Sequence, residues 1–217
     1  MYWVKRGAIS FMKSNVCKIE NGIKDLEEIL KESEKIASYN NFSHKETLQL
    51  RLLCEEIDGM LPNIVGDFDG DFWIEFENNV CKMNISIEYR DFSVEKKGNL
   101  IGVSTDKKNA AAKGIVGKIR SVIEDYFLCE GDYAPYDMGA NSYYLLTDQC
   151  PNGDFYTLWG LEQYKNTITQ TKQKEDWDEL EKSIVASIAD DVIVGVKGRK
   201  ANIVIIKKFA QGDRKWK

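Results

Sequence analysis

The sequence holds a single histidine, His44, and none of its five cysteines (17, 54, 81, 129 and 150) forms a Cys-x-x-Cys pair. Structural zinc draws on Cys and His at close spacing, so this composition leaves no ligand set for it, and no metal ligands are assigned. A Ser-His-Asp or Cys-His centre would have to use His44. That residue directly follows Ser43 in a predicted helix cap, and catalysis is not expected there. An odd and scattered cysteine count argues for reduced thiols in a cytosolic protein. No stretch of about 18 apolar residues occurs, which excludes a membrane-crossing helix. The opening "MYWVKRGAISFMK" has no apolar core of signal-peptide length, so the expectation is a cytoplasmic protein without a membrane partner. A strong excess of one charge is missing too. The formal net charge of −5 provides no basic field to recruit nucleic acid, and none is expected as a partner. The late basic run "KGRKANIVIIKK" has strand-like spacing and fits a solvated sheet edge better than a phosphate track. Internal repeats and low-complexity segments are also absent.

What is present is an ordinary globular composition. A chain of 217 residues with 43% hydrophobic side chains can bury a substantial core, and it reads as one domain over 1–217. "RGAISFMKSNVCKI" alternates loosely and predicts a first strand ending near Lys18. "NGIKDLEEILKESEKIASY" follows as an amphipathic helix, capped by Asn21, with Ile23, Leu26, Leu30 and Ala37 on one stripe. Ser43 and Glu46 make a capping-box pattern that starts a second helix. "DGDFWIEFE" and "VCKMNISIEYRD", joined by Asn-Asn, predict a hairpin. "NAAAKGIVGKIRSVIEDYF" predicts a third helix, and "SYYLLTDQC-PNGD-FYTLWGLEQY" a second hairpin. Residues 166–176 are the longest flexible candidate. "EDWDELEKSIVASIAD" predicts a helix with Trp177, Leu180, Ile184 and Ile188 aligned, and "DVIVGVK-GR-KANIVIIKKF" a closing hairpin. Hairpins call for a mixed, mostly antiparallel sheet and the amphipathic helices must cover one face, which gives a two-layer α/β sandwich.

Two acids stand out. At about 100° per residue, with Ile57 at the centre of the second helix's buried face, Leu50, Leu53, Met60, Leu61 and Ile64 fall within about 60° of it. Glu55 then points to solvent, and Glu56 lies on the rim one turn before Met60. Pro62 has no amide hydrogen to give, so this helix is expected to lose regular bonding by Leu61. In the first hairpin Met83, Ile85, Ile87 and Tyr89 share one strand face, and by period two Asp91 belongs with them. A carboxylate ending an apolar row is costly unless it meets donors.

These residues and this order of elements resemble the GHKL ATPase superfamily, above all its anti-sigma-factor serine kinases. "LRLLCEEIDGMLPNIV" is similar to the family's N-box helix, and "MNISIEYRD" to the strand ending in its adenine-reading aspartate. "LEKSIVASIADDVIVGVKGRKANIVIIKKF" is similar to its last helix and closing hairpin. The likeness covers residues 8–91 and 176–209 and treats 92–175 as an insertion. It implies a histidine-kinase-like ATPase fold in which Glu56 activates a water or hydroxyl and Asp91 accepts from the adenine amino group. Three departures bear on ATP and Mg²⁺. The family's Mg²⁺-binding asparagine is Met60 here, and a thioether is a poor ligand for a hard cation. The glycines of the Asp-x-Gly-x-Gly motif are replaced in "DFSVEKKGN". The last helix starts with Glu175, Asp176, Asp178 and Glu179, which repel a triphosphate.

Each candidate keeps a plainer reading beside the functional one. Glu56 fits a salt-bridged rim glutamate as well as a retained acid, and Asp91 fits a turn-capping acid as well as an adenine reader. Asn63 becomes a ligand on the stripe of Glu56 only if the helix continues past Pro62. Gly114, Gly117 and Lys118 stand near a helix start that could hold a phosphate, or form a glycine-tolerant packing turn. Acids at 67, 69 and 71 lack the glycine and distal glutamate register of a calcium loop. Tyr143, Tyr144, Phe155, Tyr156, Trp159 and Tyr164 form a small hairpin core or a partner-binding face. The expectation is a regulatory protein that acts through a protein partner and lacks metal-dependent ATP chemistry. The alternative is an ATP-binding anti-sigma-type regulator or serine/threonine kinase with a rebuilt phosphate site. No cofactor is expected under the first reading, and ATP with Mg²⁺ belongs to the alternative.

Overall fold

The computed structural model describes residues 11–20, 26–65, 68–89, 114–128, 156–171, 183–197 and 200–210. Its framework is a long hairpin, β3 (Phe68–Glu77) and β4 (Val80–Tyr89). Asn78 and Asn79 both take positive φ, 51° and 63°, as a two-residue turn matched to strand twist requires. Phe72, Ile74 and Phe76 on β3 then share a buried face with Cys81, Met83, Ile85 and Ile87 on β4. The closing hairpin, β6 (Asp191–Lys197) and β7 (Lys200–Lys208), adds its β7 to β4. With β1 (Met12–Lys13), β2 (Cys17–Glu20) and β5 (Tyr156–Gly160) they make a seven-stranded sheet in the order β1-β3-β4-β7-β6-β5, with β2 also on β3. Every pairing among the described strands is antiparallel.

Five helices are described: α1 (Leu26–Tyr39), α2 (His44–Val65), α3 (Gly114–Leu128), α4 (Leu161–Thr171) and α5 (Ile184–Ile188). The capping box at the start of α2 forms as its residues demand. The Ser43 amide donates to Glu46 Oε2 at 2.7 Å, and the Glu46 amide to Ser43 Oγ at 3.3 Å. Helix α1 contacts β3, α3 contacts β5 and β6, and α2 packs between α1 and α3. One buried cluster joins Ile29 and Ile36 of α1, Leu50, Leu53, Ile57 and Met60 of α2, and Ile115, Ile119 and Ile123 of α3 to the sheet. Phe42, in the α1–α2 turn, stacks on Phe76 and Phe209 with ring centroids 5.2 and 4.6 Å away.

Several local expectations are corrected. The first strand is broken into β1 and β2, because the Ser14 hydroxyl accepts the Ile74 amide while the Ser14 amide donates to the Ile74 carbonyl. The buried side of α1 centres on Ile29, Ser33 and Ile36 rather than on Leu26 and Leu30. The predicted hairpin strand "FYTLWGLEQY" stops at Gly160 and becomes α4, so residues 166–171 of the flexible candidate are helical. Of the helix expected over 176–189, the described part starts only at Ile184, after Ser183, whose backbone is extended and whose hydroxyl caps the amide of Ala186. Val185 and Ala186 face the core, while Ile184 is exposed. Helix α2 does not end near Leu61. It runs through Pro62 to Val65, because proline removes only the one bond to Asp58 while Met60 and Leu61 stay locked in the core. Residues 142–155, 172–182 and Asn21 lie outside the described residues.

Candidate functional site

The flanks of α2 place its two adjacent glutamates in different settings. Arg51 and Cys54 lie toward α1: Arg51 Nη1 reaches Glu34 at 3.4 Å, and Cys54 sits beside Ser33. Glu55 is held by Arg51 Nε at 2.9 Å on the solvent side, so the salt-bridged rim glutamate is Glu55. Glu56 lies about 150° around the helix from Arg51 and Cys54, on the flank where α3 and α5 pack. It is half-buried, and no hydrogen bond or ion pair reaches it among the described residues. Met60, one turn on, is 3% exposed and belongs to the hydrophobic cluster with Ile57 and Leu61. Asn63 falls within α2, on the stripe of Glu56 by spacing.

Helix α3 begins at Gly114 and packs against α2, so Gly114, Gly117 and Lys118 stand on an element next to Glu56. Their roles divide. Gly117 is buried where α3 meets its neighbours, which is the packing role. The Lys118 ammonium lies 5.3 Å above the Tyr164 ring, and Tyr164 itself tilts against Trp159 with centroids 5.7 Å apart. Trp159 and Tyr164 of the aromatic cluster are therefore inward-facing packing residues. Asp91, Tyr143, Tyr144 and Phe155 lie outside the described residues.

A cleft of about 350 Å³ opens elsewhere, on the outer face of the sheet, lined by Lys18, Glu20, Asp69, Asp71, Ser86, Glu88 and Lys200. Strand register assembles it from residues distant in sequence. Lys18, Asp71 and Ser86 form one cross-strand row, and Glu20, Asp69, Glu88 and Lys200 the next. Lys18 Nζ holds Asp71 Oδ1 at 2.6 Å, and Lys200 Nζ approaches Glu88 at 3.7 Å. Four carboxylates against two ammonium groups oppose a triphosphate here. The sequence signal for this cleft was the acidic run at 67–71, but its partners came from pairing alone. Gly70 lies between Asp69 and Asp71, and a Cβ added there would turn to the buried side of the sheet, meeting the Ser86 carbonyl oxygen at 2.7 Å and Ile19 Cγ1 at 3.0 Å.

No family model, curated protein or solved structure matches this chain. The site therefore rests on its own chemistry. Among the described residues no group of three or more His, Cys, Asp or Glu is placed to hold a metal ion. Cys17, Cys54 and Cys81 are buried thiols outside any disulfide, and burial pushes the Cys54 thiol up to about 12, far from thiolate reactivity. No described helix is long and apolar enough to cross a membrane.

Proposed function

We propose that the chain is a regulatory protein on a GHKL ATPase-like two-layer sandwich, acting by contact with a protein partner and without metal-dependent ATP chemistry. Met60 carries this reading. It occupies the position of the resembled family's Mg²⁺-binding asparagine, and its thioether is turned into the apolar core. No oxygen donor from that position can reach a cation beside Glu56. The scaffold part of the reading is supported by the element order: a broken strand, two helices, a hairpin, a helix, the edge strand β5, two more helices and a final hairpin added to the first. The partner we assign is a signalling or transcription regulator, with no role for nucleic acid or membrane.

Thermal melting with increasing Mg-ATP and ADP tests the reading. No change in Tm is expected. A rise that follows nucleotide concentration would overturn it in favour of an ATP-binding anti-sigma-type regulator or serine kinase, with Glu56 as base and Asp91 reading adenine.

A further inference from the structure

Helix α2 presents a second pattern on the side away from the core. Lys45, Leu48, Leu52, Glu55 and Gly59 recur at alternating spacings of three and four and fall within about 80° of one another. Leu48 and Leu52 are 44% and 42% exposed, and Lys45 and Gly59 are exposed as well. This is the spacing of a two-helix seam, with apolar residues at its centre and opposite charges at its ends.

We propose that this seam binds α2 of a second copy of the chain, antiparallel, about a two-fold axis level with residue 50. Charge selects both the occupant and the direction. In the antiparallel pair Leu48 packs on Leu52 of the second copy, and Lys45 meets Glu55 of the second copy at both ends. A parallel pair would set Lys45 against Lys45 and Glu55 against Glu55, which like-charge repulsion disfavours. Glu55 can serve both contacts, since Arg51 bonds its Oε1 and leaves Oε2 to an incoming ammonium. Nothing lies within 4 Å of a Cβ added at Gly59, so that end of the seam is open to the turn at Asn41 of the second copy. Two leucines from each copy bury less than the roughly 1,200 Å² of a tight interface, so the dimer is weak and in rapid exchange. This inference rests on the helix pattern and not on the nucleotide reading, so the nucleotide titration and the test below fail separately.

Sedimentation velocity from low micromolar to high hundreds of micromolar decides it. The native chain should shift from monomer toward dimer. Lys45→Glu alone and Glu55→Lys alone should each weaken association at least about tenfold, because each sets like charges opposite at both ends. An equimolar mixture of these two variants should associate again as a heterodimer, since each then supplies the charge the other lacks. Leu48→Cys mixed with Leu52→Cys should form a heterodimeric disulfide on mild oxidation, which keeps the test valid if Glu55→Lys folds poorly beside Arg51. A native chain that stays monomeric throughout overturns the proposal. So does association unaffected by both charge variants, or a failure of both the variant mixture and the cysteine pair.

Discussion

At the scale of single residues, Glu32 ties the start of the sheet to α1. It is 5% exposed, and its carboxylate accepts from the Asn15 amide at 3.0 Å, from Asn15 Nδ2 at 3.1 Å, and from the Lys35 ammonium. Burial pushes this carboxyl up, but Lys35 and the two Asn15 donors outweigh it and hold the group below the ordinary glutamate range. A depressed folded-state value means stability that is present above the unfolded-state value and lost as pH falls through the folded one. Glu32→Gln should therefore cost about 1–3 kcal/mol near neutral pH. Urea melts across pH should show that gap narrowing as the native carboxyl becomes protonated in acid. A gap independent of pH would mean the charge is not what matters. The sequence showed a glutamate on an amphipathic helix and nothing more, because its partner Asn15 is 17 positions away.

Element by element, α2 is the clearest case of local code meeting tertiary packing. Ser43 and Glu46 announced its start, and the structure places both capping bonds. Its buried face, Leu50, Leu53, Ile57, Met60 and Leu61, follows from helical period alone. Its end did not, since local rules stop a helix at proline, whereas the core burial of Met60 and Leu61 just before it outweighs one missing bond. The same helix carries an unneeded weakness in Gly59, exposed, mid-helix and with open space where a Cβ would go. Gly59→Ala should stabilise the fold by about 0.5–1 kcal/mol, read as a higher urea midpoint in dilute protein. A loss of stability would show that the backbone there needs glycine.

For the molecule as a whole, the sheet sets the hierarchy of stability. Strands β4 and β7 have a neighbour on each side and inner faces that are fully buried, whereas β1 is two residues long and, among the described strands, pairs on one side only. Native-state hydrogen exchange should find the slowest amides within Met83–Ile87 and Ile203–Ile205, opening only with global unfolding. Amides of Met12 and Lys13 should exchange orders of magnitude faster. Equal protection at both places would show that the N-terminal strand belongs to the same cooperative unit as the centre.

The sequence alone determined what depends on near neighbours. Period two marked the hairpins, Asn78-Asn79 their turn, Ser43 and Glu46 a helix start, and helical period the inward side of α2. Tertiary structure decided what depends on distant partners. The chain's two outer hairpins meet through β4 and β7, an order no local pattern encodes, because strand pairing compares residues over a hundred positions apart. It also turned Met60 into the core, gave Glu55 rather than Glu56 to Arg51, and drew Lys18, Asp69, Glu88 and Lys200 around one cleft. Side-chain chemistry is written in the sequence, but which groups come within reach of one another is fixed only when the sheet closes and buries one face of each helix.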